Sequence, residues 1–473
     1  MSTAIVWFRR DLRTEHNPAL AAALAAYEQV LPVYIHDPAA DGDWSSGAAS
    51  NWWLHHALVD LTQQLDQRLV LLQGPALAGL RQLVKQSGAD AVFWNRLYDP
   101  SAIERDTGIK QALREDGVRV ESHNAGLMFE PWTVANRQGL PFRVFTPFWK
   151  HLSALGLPTR LPANVSTAGR LADGAVSGQL PIEAFGLLPS IPWDQGIAEA
   201  WVPTRAGALG RLDEFLATDL AHYETGRDRP AREQVSRLSP YLHFGQLSPV
   251  EVAVATPQSS PGAQAFLREL GWREFAAYQL YHFPHTADAP LDQRFERFPW
   301  RDAPEDLAAW QQGRTGIPMV DAGMRQLWAS GWMHNRVRMI VASFLVKNLL
   351  LPWQDGARWF WDTLVDADLA SNSLGWQWTA GSGADAAPYF RVFNPVLQGQ
   401  KFDAKGEYVR RWVPELAGLP DKWIHRPWEA PAGLLTEAGV RLGHDYPAPL
   451  VDLKLSRQRA LQAWDQLKAG PKG

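Results

Sequence analysis

Cysteine is absent from the 473 residues. That excludes disulfides, thiolate nucleophiles and thiolate metal sites, and it fits a reducing cytosol, so a cytoplasmic location is expected. Long apolar runs are absent as well. No uninterrupted stretch is long enough to span a bilayer, so no membrane association is expected. Arg9, Arg10 and Asp11 interrupt the first apolar run where a secretory leader would have to continue. There is no excess of positive charge either. Lys and Arg number 46 against 50 Asp and Glu, a formal net charge of -4, which confines any nucleic-acid site to a local patch. No GxGxxG follows the first strand-like run, so the dinucleotide fingerprint is missing there. Internal repeats and low-complexity segments are absent, apart from a short polar tail at 468–473.

Tryptophan is what the chain has in abundance, with 23. Large aromatic cores would account for them, and so would indoles that stack on flat ligands or relay electrons. The length suits two or three domains. AIVWF (4–8), VLPVYI (30–35), LVLLQG (69–74), AVFWN (91–95) and VRVES (118–122) read as buried strands. Helical periodicity lies between them in PALAAALAAY, WWLHHALVDLTQQL and IERDTGIKQALRE. Strand–helix alternation predicts a doubly wound parallel sheet over residues 1–129. Residues 130–200 turn Pro- and Gly-rich and are expected to connect two domains across the surface. From 201 to 473 the pattern is almost wholly helical, as in RLDEFLATDLAHY, AQAFLRELGWREFAAYQLY, NRVRMIVASFLVKNLL and ARWFWDTLV. The expected fold class is α/β plus all-α.

One stretch organises the rest: DADLASNSLGWQWTAGSGADAAPYFRVFNP, residues 366–395. It combines Asp366, Asp368, Asn372, Gln377, Trp376, Trp378 and the run Tyr389, Phe390, Arg391. Each has a plain structural reading: core tryptophans, or acids beside a helix N-terminus. Together they suit the wall of a pocket, where rings set the shape and a few polar groups orient a ligand. Upstream, VSRLSPYLHFGQLSP (235–249) places Ser236 and Ser239, with the backbone between them, at a helix start. Such a terminus favours anions, although an ordinary N-cap reads the same way.

The 366–395 stretch closely resembles the flavin-pocket region of the photolyase/cryptochrome family. GWMHNRVRMIVASFLVKNLL (331–350), TGIPMVDAGMRQL (315–327), ELGWREF (269–275), VFTPFWK (144–150) and WFRRDLR (7–13) resemble further family segments, in the right order and almost end to end. The nearest likeness is to cyclobutane pyrimidine dimer photolyases of class I or III type. The resemblance implies a C-terminal helical FAD-binding domain and an N-terminal antenna-binding domain. The cofactor positions implied are Tyr223, Ser236, Arg237, Leu238, Ser239, Arg273, Asn335, Arg338, Asp366, Asp368 and Asn372. Arg338 and Asp366 would form a charge pair beside the isoalloxazine, and Asn372 would face flavin N5. Val235 stands where the usual pattern has Thr, so one phosphate-loop hydroxyl is missing.

For substrate, the resemblance implies a flipped thymine dimer held by Glu269, Trp272, Asn335, Met339 and Trp378, with Arg227, Arg336, Arg391 and Lys401 on DNA phosphates. Photolyases extrude their target base, and phosphate contacts position a strand without reading it. Trp376, Trp353 and Trp300 match the family's electron chain from flavin to surface. The expected function is light-driven repair of pyrimidine dimers in damaged DNA, with Glu269, Asn335, Met339 and Asn372 as catalytic groups, no metal, and a monomeric protein. The alternative is a cryptochrome-type blue-light sensor without repair. The four catalytic positions and the lack of a long C-terminal extension favour repair. A flavin-binding electron-transfer protein without a DNA role is third. For the antenna, folate (methenyltetrahydrofolate) is expected ahead of deazaflavin. One acid used by a folate-binding group appears here as Ala102, with Glu104 close by, and Trp52 and Trp53 could stack a pterin or simply fill a core.

Overall fold

The computed structural model describes residues 2–174, 176–257 and 260–469. The chain divides into two compact units: Met1–Ala221, Ser236–Pro284 and Val365–Ala370 in one, and His222–Val235, His285–Leu364 and Ser371–Gly473 in the other.

The first unit is built on five parallel strands, β1 (Thr3–Phe8), β2 (Gln29–His36), β3 (Val70–Gln73), β4 (Ala91–Asn95) and β5 (Arg119–His123), in the order β3-β2-β1-β4-β5. The doubly wound sheet is therefore as predicted. Strands β1 and β4 read as nearly unbroken apolar runs because both faces are covered, whereas the edge strand β5, RVESH, is mostly polar and only partly covered, so VRVES is a strand but not a buried one. Trp7 lies opposite Val33 on one side and Trp94 on the other, and the two indoles meet edge to face at 5.7 Å. Helices α1 (Pro18–Ala26), α2 (Ala48–Gln64), α3 (Ala76–Ser87) and α4 (Pro100–Glu115) join the strands. Asn17 starts α1 by accepting from the Leu20 amide, with Pro18 at the first helical position. α3 lies where no helix was read from sequence, and it buries only Ala76, Leu80 and Leu83.

Trp52 and Trp53, the candidate pterin platform, are core rings of α2. Both are buried. The Trp53 indole donates to Gln246 Oε1 at 2.9 Å and packs edge-on against Trp201 and Tyr241. The 130–200 segment opens with a short 3-10 turn, Pro131–Thr133, reaches helix α5 at Phe145–Leu155, then runs mostly irregular but tied down. Ala172 donates to the Val30 carbonyl, and the Arg170 guanidinium donates to the carbonyls of Leu24, Tyr27 and Glu28. The longest helix of this unit, Pro261–His282, is capped by Ser260. Gly271 lets α5 approach it: a Cβ there would stand 2.4 Å from the Trp149 ring.

The second unit is helical. The helix Asn335–Ser343 does not run straight through as the periodicity predicts, but widens into a π-type turn over Phe344–Leu349 and stops at Leu350, which is left-handed with φ 60°. Trp353–Thr363 follows, and Leu369–Ala380 carries the tryptophan pair. Asp321 is a buried knot here. It accepts from the amides of Thr315 and Gly316, the Thr315 hydroxyl and the Tyr446 hydroxyl. No helix among the described residues is long and apolar enough to cross a membrane.

Candidate functional site

In the first unit the carboxyl ends of β1, β4 and β5 open into a cleft, at the point where the strand order reverses. That is where open α/β sheets bind ligands. Arg10, Asp99, Arg96, Tyr98, Arg273 and Asp368 line it. Its charges are largely paired. Arg10 meets Asp99, Arg96 meets Glu130, and the Tyr98 hydroxyl donates to Glu130 at 2.8 Å. His243 Nδ1 lies 3.4 Å from Asp368, and burial lowers the His243 pKa despite that partner. Arg273 donates to the Gly126 carbonyl at 2.7 Å. Arg273 and Asp368, expected around flavin, thus line this strand-end cleft.

The anion-loop expectation meets a different local structure. Ser239 begins a helix of only 5 residues, Ser239–His243, and its hydroxyl donates to Asp366 Oδ2 at 2.6 Å. That hydroxyl is committed to a carboxylate, which leaves the Ser236 side chain and the backbone amides for an anion. The Ser236 carbonyl accepts from Arg211. Leu238 is buried. Arg237 adopts φ 53° and lays its guanidinium 4.3 Å from the Trp201 ring centroid.

Glu269 and Trp272 lie one turn apart on Pro261–His282, half-buried. Trp272 is stacked on Phe145 at 3.8 Å and 10°, so one face of the indole is fixed before any ligand arrives. Next to Arg273, Glu274 is buried and accepts from the amides of Met128 and Phe129. Burial, only partly offset by Arg273 and those amides, pushes its pKa up to about 7.

In the second unit, Asn335 opens the helix Asn335–Ser343 and is exposed, while Met339, four residues on, is half-buried. His334 caps this helix, its Nδ1 accepting from the Arg336 amide at 3.2 Å. Burial brings the His334 pKa down to about 4, ahead of the nearby Asp228 and arginines, so the cap is neutral at ordinary pH. Arg338 donates to the Met333 carbonyl. Arg336 bonds Asp228 through Nε and Nη2, at 3.1 and 2.8 Å, and lies over the Phe402 ring, so one expected phosphate ligand starts out paired. Arg227 sits over the buried Tyr223 ring, Lys401 is near Phe402, and Arg391 is exposed.

Asn372 donates Nδ2 to the Ala357 carbonyl at 2.9 Å, leaving Oδ1 as its acceptor. Gly375, one turn on, has nothing within 4 Å of where a Cβ would stand, so this helix face is open. Trp376 is buried against Gly356 of Trp353–Thr363, where a Cβ would stand 2.1 Å from the indole, and against Phe360. Gly356 is one turn from the buried Trp353 on the same helix. Trp300 packs on Phe298 at 4.3 Å, and Trp378 is half-buried. Asp228, His243 and Phe145 escaped the sequence reading. Asp228 beside Arg227 was the one local signal, since an acid next to a basic patch partners it.

These residues suit a flavin dinucleotide by their chemistry. In the first unit, hydroxyl and amide donors match a pyrophosphate and the Asp366 carboxylate a flat ring's polar edge; in the second, the Arg338 guanidinium and the Asn372 amide match such an edge. The family model described as DNA photolyase matches residues 4–165, and the FAD binding domain of DNA photolyase matches 266–466. A deoxyribodipyrimidine photo-lyase of Agrobacterium fabrum is 47% identical, over 98% of this chain and 98% of that protein. Cryptochrome-2 of Arabidopsis thaliana is 42% identical, over 97% of this chain and 78% of its own length. The crystal structure of a class III photolyase from Agrobacterium tumefaciens superposes with a TM-score of 0.94 at 46% identity, covering 99% and 98% of the two chains. The chain belongs to the DNA photolyase/cryptochrome family.

Proposed function

We infer that this chain is a deoxyribodipyrimidine photo-lyase, repairing cyclobutane pyrimidine dimers in DNA with FAD as its cofactor. The observation that carries the reading is the end-to-end similarity to the Agrobacterium fabrum enzyme, joined to side chains of the required chemistry. When bound and reduced, FAD supplies the light-driven chemistry, one electron lent to the dimer and recovered. The protein's part is to bind, orient and exclude water. In our reading Ser236, Arg237, Leu238, Ser239 and Tyr223 hold the dinucleotide. Asp366, Arg338, Asn372, Arg273, Asp368 and Asn335 set the ring. Ser239 orients Asp366 through its 2.6 Å hydrogen bond, and Asn372 presents Oδ1 because Ala357 holds its amide.

For the dimer, Trp272 and Trp378 are the flat walls, and Trp272 is already braced by Phe145. Glu269, Asn335 and Met339 contact the bases, and Arg227, Arg336, Arg391 and Lys401 contact phosphates. Trp376, Trp353 and Trp300 relay electrons when oxidised cofactor must be reduced. At the carboxyl ends of β1 and β4, Arg10, Arg96, Tyr98 and Asp99 are the groups for an antenna, and Arg273 and Asp368 are kept for the flavin. Folate is our choice over deazaflavin, although the Trp52–Trp53 platform no longer supports it. The domain reading, with antenna binding in 1–129, a connector at 130–200 and flavin and DNA binding in 201–473, follows the same assignment. The protein acts as a cytoplasmic monomer in this reading.

The test is dimer loss per photon on a thymine-dimer oligonucleotide, with fully reduced cofactor. Glu269→Ala should lower repair about tenfold or more while retaining flavin, since one lost polar contact costs ~1–3 kcal/mol and preorganised donors act most as charge develops. A wild type that binds flavin yet repairs no dimer would hand the assignment to the blue-light sensor.

A further inference from the structure

A buried ammonium stands in the aromatic cluster that adjoins Trp300. Lys347 lies in the wide turn Phe344–Leu349 and is 1% exposed. Its Nζ donates to the Tyr389 carbonyl at 2.9 Å and sits 3.6 Å from the Tyr389 ring centroid. Among the described residues no carboxylate pairs with it. Tyr389 is itself 2% exposed. Its ring lies 5.1 Å from Phe298 and stacks on Trp464 at 5.2 Å. Phe298 is in turn the ring on which Trp300 packs. The Tyr389 hydroxyl finds no hydrogen-bond partner among the described residues, and burial raises its pKa above the phenol range.

Oxidised Trp300 needs an electron, and Tyr389 is the nearby phenol that would ordinarily supply one. A phenol gives up an electron readily only when its proton has somewhere to go. Among the described residues the hydroxyl has no acceptor, so its proton has to pass to a water molecule that reaches it. Positive charge developing on the ring would also face an ammonium against its π-surface, in surroundings that screen it poorly. We propose that Lys347 confines the oxidising equivalent to Trp300 by keeping Tyr389 reduced. The transfer it suppresses moves one electron and one proton: Tyr389 would lose both, the proton to water, and the deprotonated indolyl radical of Trp300 would regain both. The inference rests on reading Trp300 as the outer end of the relay. Other charges packed around the turn are fixed elsewhere. Arg301 donates to the Leu349 carbonyl and pairs with Asp306, Arg459 donates to the Asn348 carbonyl, and Lys468, near Trp464, pairs with Asp465.

The experiment is transient absorption of the flavin-loaded protein after a light pulse. At a pH below about 7, where Lys347 holds its proton, the wild type should show a tryptophan radical and little tyrosyl signal. Lys347→Met keeps the side-chain length and removes a desolvated charge, so the fold should survive. Its tyrosyl yield should rise about tenfold and vanish in the Lys347→Met, Tyr389→Phe double variant. In the wild type, raising the pH through about 7, where Lys347 loses its proton, should produce the same rise without any mutation. A flavin-free readout is pulse radiolysis, in which azide radical oxidises tryptophan and conversion to tyrosyl is followed in both proteins. Equal tyrosyl yields in wild type and Lys347→Met would overturn the insulating role alone. A tryptophan signal unchanged in Trp300→Phe would overturn the relay assignment and this inference with it.

Discussion

Glu274 in one unit and Lys347 in the other are opposites that arrive at the same place. Each is buried, and each is brought to about 7, the acid from below and the base from above. In both, loss of hydration is the largest cause, and water withdrawn from an ion penalises it whatever its sign. The difference lies in the partners. Glu274 keeps two backbone amides and a nearby arginine, whereas Lys347 has one carbonyl and a ring face. A neutral pKa is thus no mark of function by itself. What surrounds the group decides whether its charge bears on chemistry.

The two groups should pull on stability in adjacent pH windows. The Lys347 pKa is lowered on folding, so between about 7 and 10.5 the unfolded chain holds the extra proton and stability rises with pH, by up to about 5 kcal/mol. Lys347→Met should erase that rise in urea unfolding followed across the range. A retained alkaline rise would show that another group carries it. The Glu274 pKa is raised on folding, so between 4.5 and about 7 the folded chain holds the extra proton. Stability then falls as pH rises, by up to about 3 kcal/mol, and Glu274→Gln should flatten that limb. If both substitutions changed the same limb, the contrast between the two groups would be broken.

The smallest effect concerns exposed charge. Cleft arginines Arg10 and Arg96 are bound to acids in half-buried pairs. Arg336 is bound to Asp228, which is 38% exposed, so its pairing is weaker. Asp228→Asn should release Arg336 for a phosphate, tighten DNA binding at low salt, and steepen log K against log salt by about 0.9. An unchanged slope, measured by fluorescence anisotropy, would place Arg336 off the DNA.

The parallel sheet was legible because strands buried on both faces must be continuously apolar, and residues 4–8 and 91–94 are. Helix α3 was not, because Ala76, Leu80 and Leu83 are too few buried positions to stand out. The π-type turn at Phe344–Leu349 was hidden because a wider turn keeps nearly the same apolar pattern as the helix it continues. Of the candidate site, residue types and helix faces were readable: Glu269 with Trp272, and Asn335 with Met339. Partners were not, since Ser239 and Asp366 lie 127 positions apart and Phe145 and Trp272 likewise meet only across the fold.

By itself the sequence determined the class of chemistry: no thiol, no metal cluster of cysteine, a strand–helix half, a helical half, and a set of rings, amides and charges suited to a flat ligand. Those follow from composition and periodicity, which are local. The tertiary structure alone decided which groups are committed and which remain available. It gave the Ser239 hydroxyl to Asp366, the Asn372 amide to Ala357 and one face of Trp272 to Phe145, and it set Lys347 against a carbonyl and a ring face with no acid partner among the described residues. Hydrogen bonds and desolvation depend on what lies within a few ångströms in space, and distance along the chain says nothing of that.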